Sequence, residues 1–312
     1  MESSHRWAII YCPKQGVRRT HKRWEHIKEL LDVRHEQYDF VQSESRDSVE
    51  RLSKMLIANG YETLIIVGGD SALNRALNAL NSFDADVRSR VVFGIIPNGR
   101  GNDFASFWNF TEDNDEKAID ALISRRIHKI DVGLLSYADT KTDTPYHIYF
   151  FNCVNIGLVS NIMNLKYKTY RIFGLSALSY FASMFLLLFQ RMESKMCFQI
   201  NEERVERKIM SVCVGNCRGY GQTPNAVPYN GMLDVSVISA PKTTQLFKGM
   251  WLLFTRKFLN HRDVKAYRTQ RTIRFDEVRN GHISVDGMVL EGISAPFEIS
   301  ILPEHVNFII NS

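Results

Sequence analysis

The residue types that could bind a phosphorylated ligand are concentrated in two loops. The first loop directly follows the apolar run 64–67 and begins with Gly68, Gly69, Asp70 and Ser71. Adjacent glycines let the backbone turn sharply and approach a ligand closely, and Asp or Ser can cap a helix whose first amides attract anions. This loop is therefore a candidate phosphate site. An ordinary strand-to-helix turn is the alternative interpretation.

The second loop has the sequence PNGRGNDFA over residues 97–105 and also follows an apolar run. Its two glycines flank Arg100, and an Asn-Asp pair that can cap a helix comes next. Two such loops on two strands of one sheet predict a shared polyphosphate site at the carboxyl ends of the strands. The chain has neither a G-x-x-x-x-G-K-[ST] segment nor a G-x-G-x-x-G after its first predicted strand, so a Walker-type site and a dinucleotide fold are not supported.

The elements that must position these loops alternate between strands and helices over the first 130 residues. Strands are predicted at Trp7–Tyr11, Tyr38–Val41, Thr63–Val67 and Val91–Ile96. The helices predicted between and after them end near Leu31 or span Ser45–Gly60, Ala72–Leu80 and Glu116–Ser124. Strands separated by helices of this length are typical of crossover units, and therefore of a doubly wound, mostly parallel sheet.

After Asp131 the pattern changes to short strands joined by turn residues, which favours an antiparallel, β-rich second domain. Its predicted strands are Ile148–Ile156, Met196–Ile200, Ile209–Gly215, Leu233–Ile238, Thr272–Phe275, His282–Val285 and Phe297–Ile301. The segments Ile172–Gln190 and Thr244–Leu259 interrupt them. No Pro- or Gly-rich linker marks the boundary near residue 130, so two tightly associated domains are expected.

The uncharged stretch Ile172–Gln190 is long enough to span a bilayer. Its first half is diluted by Gly174, Tyr180 and three serines, and Arg171 and Arg191 flank it symmetrically, which gives no orientation bias. A helix packed in a core or against a neighbouring sheet is therefore expected. Interfacial contact with lipid and a true membrane span are the alternatives.

Composition places the chain among soluble globular proteins. Of its 312 residues, 45% are hydrophobic and 23% charged, which excludes disorder, collagen-like repeats and a small disulfide scaffold. The formal net charge of +5 suits an anionic substrate or membrane surface and does not by itself indicate nucleic acid. The five cysteines lack zinc-ligand spacing, so reduced thiols in a cytosolic protein are expected. No secretory signal is recognisable.

The order of these residues resembles one known family. G-G-D-x-x-x-N at 68–74 followed by P-x-G-x-G-N-D-F-A at 97–105 is similar to the catalytic domain of the diacylglycerol kinase and sphingosine kinase superfamily, and most similar to its bacterial soluble lipid kinases. Matching segments continue through the second domain at 155–158, 215–216, 219–221, 224–226, 231–235 and 285–287. The resemblance therefore covers essentially the whole chain.

The resemblance implies a diacylglycerol-kinase-like or NAD-kinase-like α/β domain over 1–130, an antiparallel β-sandwich-like lipid-substrate domain over 131–302, and a terminal segment, 303–312, that returns to the first domain. It implies transfer of the γ-phosphoryl group of ATP, with Mg²⁺, to a hydroxyl of a diacylglycerol-like or sphingoid lipid in the cleft between the domains. The nucleotide contacts that it implies are Gly68, Gly69, Asp70, Ser71, Asn74, Gly99, Arg100, Gly101, Asn102 and Asp103.

The same resemblance makes Asp70 and Asp286 the candidate catalytic carboxylates, with Asp286 as the group that takes the proton of the acceptor hydroxyl. Asp286 merely shaping a tight Asp-Gly turn is the alternative. The resemblance also assigns Asn230 and Met232 to a structural magnesium site.

The sequence departs from the family pattern at charged positions. The positions that usually carry Gly, Thr, Glu, Thr, Asp and Glu hold Ser71, Ala72, Arg75, Arg100, Asn230 and Met288. The loss of three carboxylates and the gain of two arginines weaken divalent-metal binding and strengthen anion binding. Either Arg100 neutralises phosphate charge in place of metal, or the site binds an anionic ligand without transferring phosphate.

The expected function is a cytoplasmic, ATP-dependent lipid kinase that contacts an anionic membrane surface peripherally. A non-catalytic nucleotide- or lipid-binding protein on the same fold and a kinase of a soluble alcohol are the alternatives. The basic segments 18–24 and 256–274 are solvated faces in one interpretation and attract the membrane surface in the other. No nucleic-acid-binding module is recognisable, and a homodimer is a further expectation.

Overall fold

The computed structural model describes residues 6–13, 19–45, 47–99, 101–138, 142, 144–157, 160, 193–218, 222–239 and 263–311. The chain divides into two compact units. The first comprises Met1–Asp131 and Pro303–Ser312, and the second comprises Val132–Leu302.

The first unit is a parallel sheet with helices in its connections. Its strands include β1 (Trp7–Tyr11), β2 (Tyr38–Gln42), β3 (Thr63–Gly68) and β4 (Val92–Pro97). The described helices are α1 (Arg19–Val33), α2 (Ser48–Ala58), α3 (Asp70–Leu80), α4 (Ala85–Arg90), α5 (Asp103–Phe107) and α6 (Asp115–Ser124). The strands lie in the order β2–β1–β3–β4, and each neighbouring pair is parallel. The predicted mostly parallel α/β arrangement is confirmed, and α4 is a short helix that the sequence analysis missed.

Every residue of β1, β3 and β4 is buried, as expected for strands of a parallel sheet that is covered on both faces. Helices α2 and α3 bury apolar residues that recur at helical spacing, among them Leu52, Leu56, Leu73 and Leu77. Full burial of one such side chain contributes ~1.5–3 kcal/mol. This core holds the carboxyl ends of the strands, and the loops that follow them, in place.

The second unit is made of antiparallel strands. The strands after β4 are β5 (Ile127–Ala138), β6 (Pro145–Phe150), β7 (Cys153–Gly157), β8 (Ser194–Ile200), β9 (Glu203–Gly215), β10 (Leu233–Ser239), β11 (Val264–Thr269), β12 (Ile273–Val278), β13 (Ile283–Val285), β14 (Met288–Leu290) and β15 (Phe297–Ile309). Strand β9 pairs with β7, β8 and β10, and each pair is antiparallel. The predicted antiparallel, β-rich domain is confirmed.

The core of the second unit contains a row of aromatic rings. Phe198, Phe275 and Phe297 are buried and stacked, with successive ring centroids 4.9 and 4.8 Å apart. Alternate residues of β9, among them Val212 and Val214, face the same core, because the side chains of a strand alternate between its two faces.

The end of β15 belongs to the first unit. The predicted strand Phe297–Ile301 continues unbroken to Ile309, and Asn307 and Phe308 pair in parallel with β4. The predicted strand ends too early because polar residues interrupt its apolar pattern after position 302.

One predicted strand needs correction. Ile148–Ile156 is predicted as a single strand, and the structure has β6 and β7 with a break at Phe151 and Asn152. The amides of these two residues bind the carboxylate of Asp286 instead of a neighbouring strand. A hydrogen-bond partner more than 130 positions away is not visible in a local pattern.

The basic segment 256–274 is described from residue 263 onwards, and it contains β11, whose charges hid its strand pattern from the sequence analysis. Its cations have acidic partners. Lys265 Nζ lies 2.7 Å from Glu203 Oε2, and Arg268 Nε lies 2.7 Å from Asp234 Oδ1. The described part of this segment therefore fits the interpretation as a solvated, ion-paired face.

Two predicted segments, Ile172–Gln190 and Thr244–Leu259, lie outside the described residues. Within the ranges that are described, no helix is both long enough and apolar enough to cross a membrane. The five cysteines all lie within these ranges, and they form no disulfide.

Gly133 of β5 provides a test of packing in the second unit. It pairs with Phe150 of β6, and a Cβ at position 133 would lie 2.0 Å from Phe150 Cζ. We expect Gly133→Ala to lower the free energy of unfolding by about 1–3 kcal/mol through overpacking, measured by urea denaturation. Because Phe150→Leu removes the ring, the double variant should lose less stability than the two single losses combined. Strictly additive losses would contradict this packing.

Candidate functional site

The first predicted loop is the tight connection between β3 and α3. Gly68 is the last residue of β3, and Gly69 is the N-cap of α3. The helix begins at Asp70 and has 11 residues, so its N-terminus lies at the carboxyl end of a buried strand. The first amides of a helix have no partner within the helix and attract anions.

The second predicted loop contacts the first directly. Gly68 and Pro97 are paired in the register of β3 and β4, and Asn98 N donates to Gly68 O at 2.7 Å. One residue further along, Gly69 and Gly99 meet backbone to backbone, since a Cβ on Gly69 would lie 2.8 Å from Gly99 Cα. A side chain at either glycine would separate the loops. The structure therefore brings the two predicted loops together.

Asp70 joins the two loops through its carboxylate. Oδ2 accepts a hydrogen bond from Asp103 N at 2.9 Å, and Oδ1 accepts one from Phe104 N at 3.1 Å. These amides are the first two of α5, so Asp70 caps a helix in the second loop while it begins its own helix in the first. Hydrogen bonds to a charged group contribute ~1.5–3 kcal/mol each.

Asn102 fixes the shape of the second loop. It is buried and has a left-handed backbone (φ 54°), which Asn tolerates better than most residues. Its Oδ1 accepts a hydrogen bond from Gly99 N at 2.9 Å, and its Nδ2 donates to Glu112 Oε1 at 2.7 Å. The predicted contact of Asn102 with a nucleotide stays a prediction, whereas its role in shaping the loop is visible.

The other predicted nucleotide contacts differ in their placement. Asn74 is 1% exposed within α3, where its Oδ1 accepts a hydrogen bond from Asn78 Nδ2 at 3.1 Å. Ser71 is half-buried in the first turn of α3, and Gly101 is exposed. Arg100 lies outside the described residues. Direct contact with a ligand stays a prediction for each of them.

The loop after β1 reaches the same end of the sheet. Cys12 N donates to Val67 O at 2.9 Å, and Asn98 Nδ2 donates to Cys12 O at 3.0 Å. Burial raises the pKa of the Cys12 thiol to about 11, and a hydrogen bond with Ser43 opposes this shift. The thiol therefore stays neutral at pH 7. Asn98 is not among the predicted site residues, although its position between a strand end and a glycine is a usable signal.

Asp286 is buried in the second unit and binds backbone amides. Oδ2 accepts a hydrogen bond from Phe151 N at 2.9 Å, and Oδ1 accepts hydrogen bonds from Asn152 N at 2.9 Å and Cys153 N at 3.0 Å. With Gly287, Asp286 forms the two-residue turn between β13 and β14, and both residues have positive φ. Asp-Gly is a favoured pair for such a turn.

This geometry supports the alternative that Asp286 shapes a turn, and its role as a proton acceptor stays a prediction. Met288, which stands where the family has Glu, is half-buried at the start of β14 and pairs with Val285. Asp70 belongs to the first unit and Asp286 to the second.

Asn230 and Met232 form a local turn. Asn230 is exposed, and its Oδ1 accepts a hydrogen bond from Met232 N at 2.9 Å. Across the described ranges, no group of three His, Cys, Asp or Glu residues could hold a metal ion, and magnesium prefers carboxylate ligands. The assignment of these residues to a structural magnesium site stays a prediction that this geometry does not support.

Each of the two units matches a known protein family. The diacylglycerol kinase catalytic domain family matches residues 6–135, and the YegS C-terminal NAD kinase beta sandwich-like domain family matches residues 154–310. The chain therefore belongs to the diacylglycerol-kinase-like family, in which a catalytic domain precedes an NAD-kinase-like β-sandwich domain. The resemblance read from the two loops and the late Asp-Gly turn is confirmed.

Individual relatives are similar over most of the chain. A diacylglycerol kinase of Staphylococcus carnosus is 23% identical over 258 residues, which covers 81% of this chain and 78% of that protein. The crystal structure of a diacylglycerol kinase from Bacillus anthracis superposes with a TM-score of 0.67 at 17% identity, covering 98% of this chain and 97% of the other. Yeast NADH kinase gives a TM-score of 0.55 at 11% identity, with 98% and 84% coverage. The two structures support the fold.

The contact between Gly69 and Gly99 can be tested by adding one methyl group. We expect Gly69→Ala to force the loops apart, because its Cβ would lie 2.8 Å from backbone, and to lower the free energy of unfolding by about 1–3 kcal/mol. Gly101→Ala is the matched control, since its Cβ would lie 3.5 Å from Asp70 Oδ2, an ordinary contact. Chemical denaturation of both variants measures the difference, and equal stability would contradict the close approach.

The hydrogen bonds of Asp286 predict a folding effect. In Asp286→Asn an NH₂ group replaces one acceptor oxygen and faces a backbone donor, so at least one buried amide loses its partner. We expect the free energy of unfolding to fall by about 1–3 kcal/mol. The matched control is Asp276→Asn, because Asp276 is 36% exposed and pairs with Arg274 at the surface. A change within ~0.5 kcal/mol is expected there. Equal losses of unfolding free energy in the two variants would argue against the hydrogen bonds between Asp286 and the backbone amides.

Proposed function

We propose that the protein is an ATP-dependent lipid kinase that transfers the γ-phosphoryl group to a hydroxyl of a diacylglycerol-like or sphingoid lipid. The observation that carries the proposal is the backbone contact of Gly69 with Gly99, bridged by the Asp70 carboxylate. Phosphate groups can approach backbone amides closely where side chains are absent. Membership of the diacylglycerol-kinase-like family supports the class of reaction.

Phosphoryl transfer depends on positioning and charge stabilisation more than on covalent chemistry. In this proposal the first amides of α3 bind the phosphates, and the two glycines allow the approach. Asp70 holds the loops at a fixed spacing, so that the phosphate oxygens meet preorganised donors. Mg²⁺ bound with ATP would neutralise part of the phosphate charge, and Asp70 and Asp103 are the carboxylates of this loop pair that suit it.

The acceptor hydroxyl must lose a proton, and Asp286 is the proposed proton acceptor. Its place in the late Asp-Gly turn supports this, because that turn matches the family pattern while its Glu is replaced by Met288. A positioned general base typically contributes roughly 10²–10⁴-fold to the rate. Activity of Asp286 variants must be expressed per folded molecule, because the same carboxylate binds three amides.

A lipid kinase must reach its substrate at a bilayer, so we extend the proposal to peripheral contact with an anionic membrane surface on the cytoplasmic side. The net charge of +5 supports this contact, since each basic residue near such a surface contributes ~1 kcal/mol.

The second candidate is a nucleotide-binding protein that no longer transfers phosphate. The observation that favours it is the engagement of the Asp286 carboxylate with three backbone amides, combined with Met288 at the position of the usual base. In this alternative the loops still bind ATP.

The decisive experiment measures ATP turnover against a panel of lipids in mixed micelles, with and without Mg²⁺, alongside ATP binding by calorimetry. Mg²⁺-dependent turnover on a diacylglycerol or sphingoid lipid is the expected result. ATP binding without turnover on any lipid favours the second candidate. Turnover only on a soluble alcohol, or no ATP binding, contradicts the proposal.

Restoring the missing carboxylate provides a gain-of-function test. We expect Met288→Glu to raise lipid-kinase turnover, by up to the roughly 10²–10⁴-fold of a general base, because it places a longer carboxylate beside the Asp286 turn. Val289→Glu is the control, since adjacent residues of a strand face opposite sides. Initial rates of lipid phosphorylation measure both variants, and equal rates would contradict the assignment of this turn to catalysis.

A further inference from the structure

Arg23 of α1 has its guanidinium at the carboxyl ends of the parallel strands, and its side chain is 19% exposed. Nη1 donates to Pro97 O at 2.8 Å and to Asn98 Oδ1 at 3.3 Å. Nε donates to Asp115 Oδ2 at 3.0 Å, and Nη2 donates to Asp115 Oδ1 at 2.5 Å. Arg23 comes from the basic segment 18–24, for which solvent or a membrane surface is the sequence-based expectation, and its contacts are internal instead.

Asn98, which Arg23 binds, connects three loops at this end of the sheet. Asn98 is 6% exposed, and its backbone N donates to Gly68 O while its Nδ2 donates to Cys12 O. One residue therefore connects the loops after β1, β3 and β4. Arg23 binds the remaining side-chain atom of this residue, Oδ1, and thereby sets the orientation of the whole amide. Gly99, which meets Gly69, is the next residue along the chain.

The charge of Arg23 is balanced by Asp115, whose side chain is 9% exposed. Its planar guanidinium can bind a carboxylate on one edge and a carbonyl and an amide oxygen with its other nitrogen, in one fixed geometry. A lysine ammonium keeps the charge and cannot hold this set of partners at once.

We propose that Arg23 is a positioning residue, which fixes the Pro97–Gly99 backbone and thereby holds Gly99 against Gly69 at the N-terminus of α3, where the proposed function places the nucleotide phosphates. The part of the proposal that concerns nucleotide rests on the proposed function, whereas the part that concerns the loop does not. Arg23 acts through Asn98 and Pro97, so its removal should weaken nucleotide binding with little change in the rate of the chemical step.

A second ion pair to α6, made by the residue that directly follows α1, provides a matched control. Nε of Arg34, the residue directly after the end of α1, lies 2.7 Å from Asp120 Oδ1 of α6. Nη1 of Arg34 donates to Leu30 O of α1 at 3.3 Å. Arg34→Lys therefore perturbs the contact between α1 and α6 in the same chemical way without affecting the loop at 97–99.

The experiment compares Arg23→Lys with Arg34→Lys in the full-length protein. Hydrogen–deuterium exchange of the peptide that covers 97–103 tests the loop, and calorimetry with ATP tests the site. We expect Arg23→Lys to speed exchange in this peptide and to raise the Kd for ATP about tenfold, with the same kcat at saturating ATP. Arg34→Lys should leave exchange at 97–103 and the Kd within about twofold of the wild-type values.

Asp115→Asn releases the guanidinium from its carboxylate, so it should also speed exchange at 97–103 and raise the Kd for ATP. This variant replaces Arg23→Lys if Arg23→Lys does not fold. Unchanged exchange and unchanged Kd would overturn the proposal, as would equal effects of Arg23→Lys and Arg34→Lys. If the wild-type protein binds no ATP, the proposed function fails, and the exchange rate at 97–103 still decides whether Arg23 positions the loop.

Discussion

The hydrogen bonds of Asp70 to the first amides of α5 are the interaction on which the candidate site depends. Gly69 and Gly99 lie in backbone contact, and glycine loses more conformational freedom on folding than any other residue. Without a bridging group, ordering these loops would cost conformational entropy and would form few contacts that offset this cost. The Asp70 carboxylate supplies this bridge, since it satisfies two helix amides that have no partner within α5. The spacing of the loops follows from this bridge.

Buried carboxylates serve the same purpose elsewhere in the chain. Asp286 binds three amides around the break between β6 and β7, and Asp131, which is 1% exposed, accepts a hydrogen bond from Glu304 N at 2.9 Å. In each case an aspartate satisfies backbone donors that a strand or helix leaves without partners. An aspartate in a loop that resembles a family motif can therefore have a catalytic or a structural role, and its contacts distinguish the two.

Arg75, one of the residues that depart from the family pattern, forms ion pairs with neighbouring residues. Arg75, which stands where the family has Glu, lies 2.9 Å from Asp47 Oδ1 and 3.6 Å from Glu50 Oε2. Its charge is therefore partly neutralised by α2 and the residue before it. The electrostatic shift inferred from the departures from the family pattern, with fewer acids and more cations around an anion site, is smaller at this position than the sequence suggests. Arg23 shows the same effect, because Asp115 balances its charge.

Sequence alone determined the buried strands, the helices with apolar residues at helical spacing, the two glycine loops and the family, because these features depend on residues that are close together in the chain or on their order. It also predicted that the loops meet, since parallel strands place their carboxyl ends together. Only the tertiary structure decided which atoms Asp70, Asn98, Arg23 and Asp286 bind. Their partners lie between 30 and 135 positions away. A hydrogen bond over such a distance depends on how the elements pack, and packing leaves no local pattern in the sequence.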